Sequence, residues 1–78
     1  MNIPYYLREI NQMLTDSFRI SYKRHKNTYD LYIIFNNELI EYILYDASKE
    51  ELYKSLKSIY GLLSWGKRVL KWKELKLH

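Results

Sequence analysis

Three apolar runs lie so close together along residues 17–45 that only one kind of sheet can hold them. In residues 17–23, Phe18, Ile20 and Tyr22 alternate with Arg19, Ser21 and Lys23, the period-two pattern of a half-buried strand. Residues 29–35 are β-branched and aromatic, with Tyr29, Leu31, Ile33 and Phe35 on one face. Residues 38–45 read as a third strand. The connections are the polar turn Arg24-His25-Lys26-Asn27-Thr28 and the pair Asn36-Asn37. Neither can hold the long crossover that parallel neighbours need, so the strands form an antiparallel meander. Asn tolerates positive φ, so Asn36-Asn37 predicts a tight hairpin. Strands two and three are apolar on both faces over part of their length. Either both faces are covered, or one presents Tyr and Ile to a partner.

Helices flank the meander. Ile3, Tyr6, Leu7, Ile10 and Leu14 recur at helical spacing and predict a helix over 3–15. Asn2 can cap it, Pro4 suits a first turn whose N–H groups lack partners, and Asp16-Ser17 ends it. Ser48 and Glu51 have the S-x-x-E spacing of a capping box, and Ala47 and Leu52 can form its hydrophobic staple. Leu52, Leu56, Ile59, Tyr60 and Leu63 make the buried stripe of this second helix. Gly66 is its expected stop, and Gly61 a place where it loosens. Residues 67–78 fit two patterns. Trp65, Val69, Trp72 and Lys76 follow helical spacing; Leu70 and Trp72, or Leu75 and Leu77, follow strand spacing. A short helix is the expectation. The fold class that results is α+β, a two-layer α-β-β-β-α domain over 1–66 with a basic C-terminal segment over 67–78.

Seventy-eight residues allow one domain with a small core. The chain has no Cys, which excludes disulfides and thiolate metal sites, and its two His do not suggest a dedicated metal site. No metal and no cofactor is expected. Aromatic side chains compensate: nine Tyr are more than a small core can hide, so some are expected on a contact surface. The first residues lack the cationic and apolar segments of a signal peptide, and no run approaches a membrane span, so a cytoplasmic protein is expected. His25 reads as an exposed turn residue and Ser48 as a cap. There is no Gly-rich phosphate loop, H-E-x-x-H or G-x-S-x-G. No catalytic residue is assigned, and the chain is not expected to be an enzyme.

Function therefore has to come from surfaces, and charge divides them. Residues 1–66 carry eight Lys/Arg and eight Asp/Glu, so the net charge of +4 lies in residues 67–78. Residues 30–51 are acidic and supply candidate protein-binding residues Glu38, Glu41, Asp46, Glu50 and Glu51, with Tyr32, Tyr42 and Tyr45 as aromatic contacts. Glu50 and Glu51 also suit the positive end of a helix dipole. The other candidate surface is basic: Lys23, Arg24 and Lys26 of the turn, with Lys67, Arg68, Lys71, Trp72 and Lys73 of the C-terminal segment. Such a set can follow a phosphate backbone and stack a base. A third reading, an interfacial membrane segment over Trp65–Leu77, ranks last because its apolar face is poorly defined. A homodimer is compatible with all three.

The order helix, three antiparallel strands, helix resembles that of double-stranded RNA-binding domains, which use a basic N-terminus of the second helix. Here that helix opens Ser48-Lys49-Glu50-Glu51, acidic where that family has lysines. The segments Met1-Asn2-Ile3, Leu7-Arg8-Glu9-Ile10, Leu31-Tyr32-Ile33-Ile34-Phe35-Asn36-Asn37 and Glu41-Tyr42-Ile43 resemble the pattern of small phage anti-CRISPR inhibitors of type II-A RNA-guided nucleases. That resemblance covers residues 1–63 as element order. It implies an α-β-β-β-α body whose acidic residues mimic DNA, which here would be Glu38, Glu41, Asp46, Glu50 and Glu51, and a bacterial host cell. Its implied function is a phage-type inhibitor or adaptor that engages a nuclease or another nucleic-acid-handling protein. The alternative is direct nucleic-acid binding.

Overall fold

The computed structural model describes the backbone of residues 2–15 and 17–76, and the side chains of 2–15 and 17–66. The elements run α1 (Ile3–Met13), β1 (Phe18–Arg24), β2 (Tyr29–Phe35), β3 (Glu38–Ala47) and α2 (Lys49–Lys76). The strands form one antiparallel sheet in the order β1-β2-β3, and both helices lie on one of its faces. This is the two-layer α+β arrangement the sequence predicts.

Local chemistry explains the element ends. The Asn2 carboxamide accepts the Tyr5 N–H at 3.2 Å, and Pro4 occupies the first turn of α1. At the start of α2, the Glu51 N–H donates to Ser48 Oγ at 3.1 Å and the Ser48 N–H to Glu51 Oε1 at 3.3 Å. This reciprocal pair is the capping box expected there. Asn36 and Asn37 hold φ of 50° and 68°, as a two-residue hairpin turn with the twist of its strands requires.

The core lies between the helices and the inner face of the sheet. Ile3 and Ile10 of α1, Ile20, Tyr29 and Leu31 of the sheet, and Leu52 and Leu56 of α2 form it. Register explains why these residues meet. Ile20 pairs with Ile33 and Tyr22 with Leu31, so the inward residues of β1 and β2 form one apolar surface. Asn11 ties α1 to the free edge of β1. Its side chain donates to the Ile20 carbonyl at 3.0 Å and accepts the Ile20 N–H at 2.8 Å. It thus makes the two bonds a further strand would make.

Several boundaries differ from the sequence reading. α1 ends at Met13 rather than 15, where the Leu14 backbone turns extended. β1 covers Phe18–Arg24 rather than 17–23, and β3 continues to Ala47 rather than 45. The extra length of β3 comes from three register shifts against β2. Ile40 and Ile43 are each an added residue, and the pair Tyr45-Asp46 stands opposite Asp30 alone. Asp46 carries the bend in a left-handed conformation, φ 58°. The expected stop at Gly66 and loosening at Gly61 are absent: the backbone of α2 runs helical from Lys49 to Lys76. Glycine disfavours a helix interior by only about 1 kcal/mol, which flanking helix formers outweigh.

Candidate functional site

Among the described residues, no element covers the face of the sheet opposite the helices, and tyrosines occupy it. Tyr32 of β2 pairs across with Tyr42 of β3, so both project from this face. Their rings meet edge-on at 6.0 Å, and Tyr42 meets Tyr45 in the same way at 5.4 Å. Tyr42 is 47% exposed and Tyr45 73%. Ile34 and Leu39, another cross-strand pair, extend the apolar surface toward the hairpin. The bulges of β3 help to place this row. Inserting Ile43 turns that residue toward the helices, while Tyr42 keeps its place opposite Tyr32.

All nine tyrosines can be sorted by position. Tyr5, Tyr6, Tyr53 and Tyr60 interlock along the seam between α1 and α2, with ring centroids 5.4–6.3 Å apart. Tyr22 and Tyr29 close the inner core at one end of the sheet. The remaining three are those assigned from the sequence as contact residues, and they form one continuous row.

A basic row runs beside them. Ser21 is the cross-strand partner of Tyr32, Arg19 of Ile34 and Lys23 of Asp30, so Arg19, Ser21 and Lys23 share the open face with the tyrosines. Lys23, Arg24 and Lys26 follow at the β1–β2 turn, all exposed. The sequence alternation had already placed Arg19 on this face, but Arg19 was not among the residues assigned to it. The side chains of Lys67, Arg68, Lys71, Trp72 and Lys73, the rest of the basic set, lie outside the described residues.

A polar hub closes one end of the face. Asp30 is buried, 4% exposed. Its Oδ1 accepts the Asp46 N–H at 2.9 Å, and its Oδ2 lies 2.7 Å from His25 Nε2. Thr28 Oγ1 donates to Asp46 Oδ1 at 2.6 Å. The Asp46 N–H, then His25, hold the Asp30 carboxyl below the usual carboxylate range. His25 has no carboxylate within four residues of it in the sequence. The antiparallel register returns Asp30 to it five residues on. The hub fastens the β1–β2 turn to the last bulge of β3, beside Tyr45.

Three residues of the acidic set have partners within the chain. Glu51 is used in the capping box, Asp46 in the hub, and Glu50 pairs with Lys54 at 3.3 Å. Glu38 and Glu41 pair across from Phe35 and Ile33, which puts them on the helix side of the sheet, away from Tyr32 and Tyr42. Among the described residues, no group of three or more His, Cys, Asp or Glu could hold a metal ion, and no helix is long and apolar enough to cross a membrane.

Fold and surface together define a small two-layer α+β domain with one helix-covered sheet face and one open, tyrosine-bearing face. The chain belongs to the family described as "Uncharacterized protein conserved in archaea (DUF2226)", whose sequence profile matches residues 1–71. No curated protein and no solved structure matches it.

Proposed function

We propose that the protein is a non-enzymatic binding module whose open sheet face takes single-stranded nucleic acid. The observation that carries this reading is the row Tyr32-Tyr42-Tyr45 lying beside Arg19 and Lys23 on one uncovered face. Every base has a π-face, so exposed tyrosines bind bases with little sequence preference, each stack contributing about 1–3 kcal/mol. Neighbouring cations neutralise the phosphates that connect the bases. A duplex hides its base faces, so this surface favours single strands. A cytoplasmic location goes with this reading.

Fluorescence anisotropy of labelled single- and double-stranded oligonucleotides tests it, at low and physiological salt. If Arg19, Lys23 and Lys26 contact phosphates, the log–log salt slope for single strands is about −2. Salt-independent binding, or equal affinity for duplex, contradicts the reading. Absence of binding at low salt favours a second reading, an inhibitor or adaptor of a nucleic-acid-handling protein such as a CRISPR effector. The exposed Leu39 and Ile40 beside Tyr42 support that alternative, because an apolar patch with aromatic neighbours suits a protein partner.

A further inference from the structure

The polar hub at the end of the open face contains an exposed histidine, the residue type whose charge changes between about pH 5 and 8. The turn that carries His25 is tied down three times. Its N–H donates to the Thr28 carbonyl at 2.8 Å, its Nε2 lies 2.7 Å from Asp30 Oδ2, and the Thr28 hydroxyl donates to Asp46 at 2.6 Å.

The pair of His25 and Asp30 can change charge without coming apart. An ionised carboxylate only accepts, so Nε2 carries the proton between them, and a second proton enters at Nδ1. Nε2 therefore donates to Asp30 in both states. The pair bears one negative charge when the imidazole is neutral and no net charge when it is protonated. The other charged groups around it are Lys23 and Arg24 of β1, Lys26 of the turn and Asp46 of β3. On the helix side, Tyr22 and Tyr29 lie beneath this end of the sheet, and α2 opens past Ala47 with Lys49, Glu50 and Glu51.

Register sets the pair beside the basic row. Asp30 is the cross-strand partner of Lys23, and Ser21, two residues from Lys23, is the partner of Tyr32. Two strand residues span about 7 Å, so the pair lies one step along the sheet from the first tyrosine of the open face.

We propose that His25 couples proton uptake to nucleic-acid binding at the open face, so that the protein holds a single strand more tightly in mildly acidic conditions. The inference rests on the single-strand reading of that face. A phosphate chain held at Lys23 meets a net negative pair when the imidazole is neutral and a pair without net charge when it is protonated. Strand binding and protonation therefore favour each other, and by linkage the bound strand draws a proton onto His25.

Anisotropy titrations with a dye-labelled oligothymidylate at constant salt, at pH 8 and pH 5.5, test the proposal. Thymine and the phosphodiester keep their charge over this range. Wild-type affinity is expected to rise roughly three- to tenfold at the lower pH, the effect of one unit charge about 7 Å from a phosphate near a protein surface. His25→Gln keeps a side-chain N–H for Asp30 but takes up no proton, so it should lose most of that rise. His25→Lys is charged at both pH values and should bind at pH 8 about as tightly as wild type does at pH 5.5. His25 is exposed, and Asp30 stays ionised at both pH values, so circular dichroism should show both variants folded. An equal rise in wild type and His25→Gln, or no rise in wild type, overturns the proposal and leaves the single-strand reading standing. Absence of binding at both pH values contradicts that reading, and the proposal falls with it.

Discussion

Leu31 and Tyr32 are adjacent in β2, yet their side chains meet opposite surroundings. Leu31 has no exposure and sits beneath both helices. Tyr32 projects from the other face into a row of rings with no layer above it. The same contrast runs along β1, where Ile20 is buried and its neighbours Arg19 and Ser21 face outward. The inner face contributes stability, since burying each large apolar side chain is worth about 1.5–3 kcal/mol. The outer face carries exposed tyrosines beside Arg19 and Lys23, and no described element covers it, so these rings contribute little to the core.

This division can be tested by substitution. Leu31→Ala should destabilise the fold by about 2–5 kcal/mol in denaturant unfolding, as a core cavity does. Tyr42→Ala should stay within about 0.5 kcal/mol, as exposed positions do. Comparable losses at both sites would mean that the open face is a second core surface. Asn11→Ala should cost about 1–3 kcal/mol, because both backbone groups of Ile20 lose their partner. The β1 edge would be exposed at the same time, so that variant should also aggregate more readily. Ser48→Ala should cost about 1 kcal/mol through the lost cap.

The smallest effect is a pH dependence. The folded carboxyl of Asp30 is held below its ordinary value of 3.8. Its ionised form therefore adds stability above that pH, and the contribution is lost as pH falls through the folded value. Wild-type stability should decline below about pH 4, and Asp30→Asn should flatten that part of the profile while lowering the plateau. An unchanged profile would mean that the hub does not hold β3 in place.

Much of this arrangement is legible in the sequence, because the signals involved are local. Ser48 and Glu51 are one helical turn apart, and Asn36-Asn37 needs only positive φ, so both were readable without the fold. The row Tyr32-Tyr42-Tyr45 was readable as a surface because two strands carry more apolar residues than one buried face can take. The bulges of β3 were not, since a register shift depends on the partner strand. The stop at Gly66 failed because one glycine is a weak signal against helix formers on both sides. The partners of the acidic residues depend on the fold in the same way. Asp46, Glu50 and Glu51 each find a partner within the chain, so their total charge says little about a shared surface.

The covered face holds the fold, and the open face is the proposed binding surface. The most direct test is the affinity of wild type and the Tyr32→Ala, Tyr42→Ala double variant for a labelled single-stranded oligonucleotide at low salt, with thermal unfolding of both. Loss of two stacks predicts an affinity decrease of about 2–6 kcal/mol, roughly thirtyfold or more, with an almost unchanged melting temperature. Unchanged affinity, or an affinity loss that accompanies unfolding, would contradict the account.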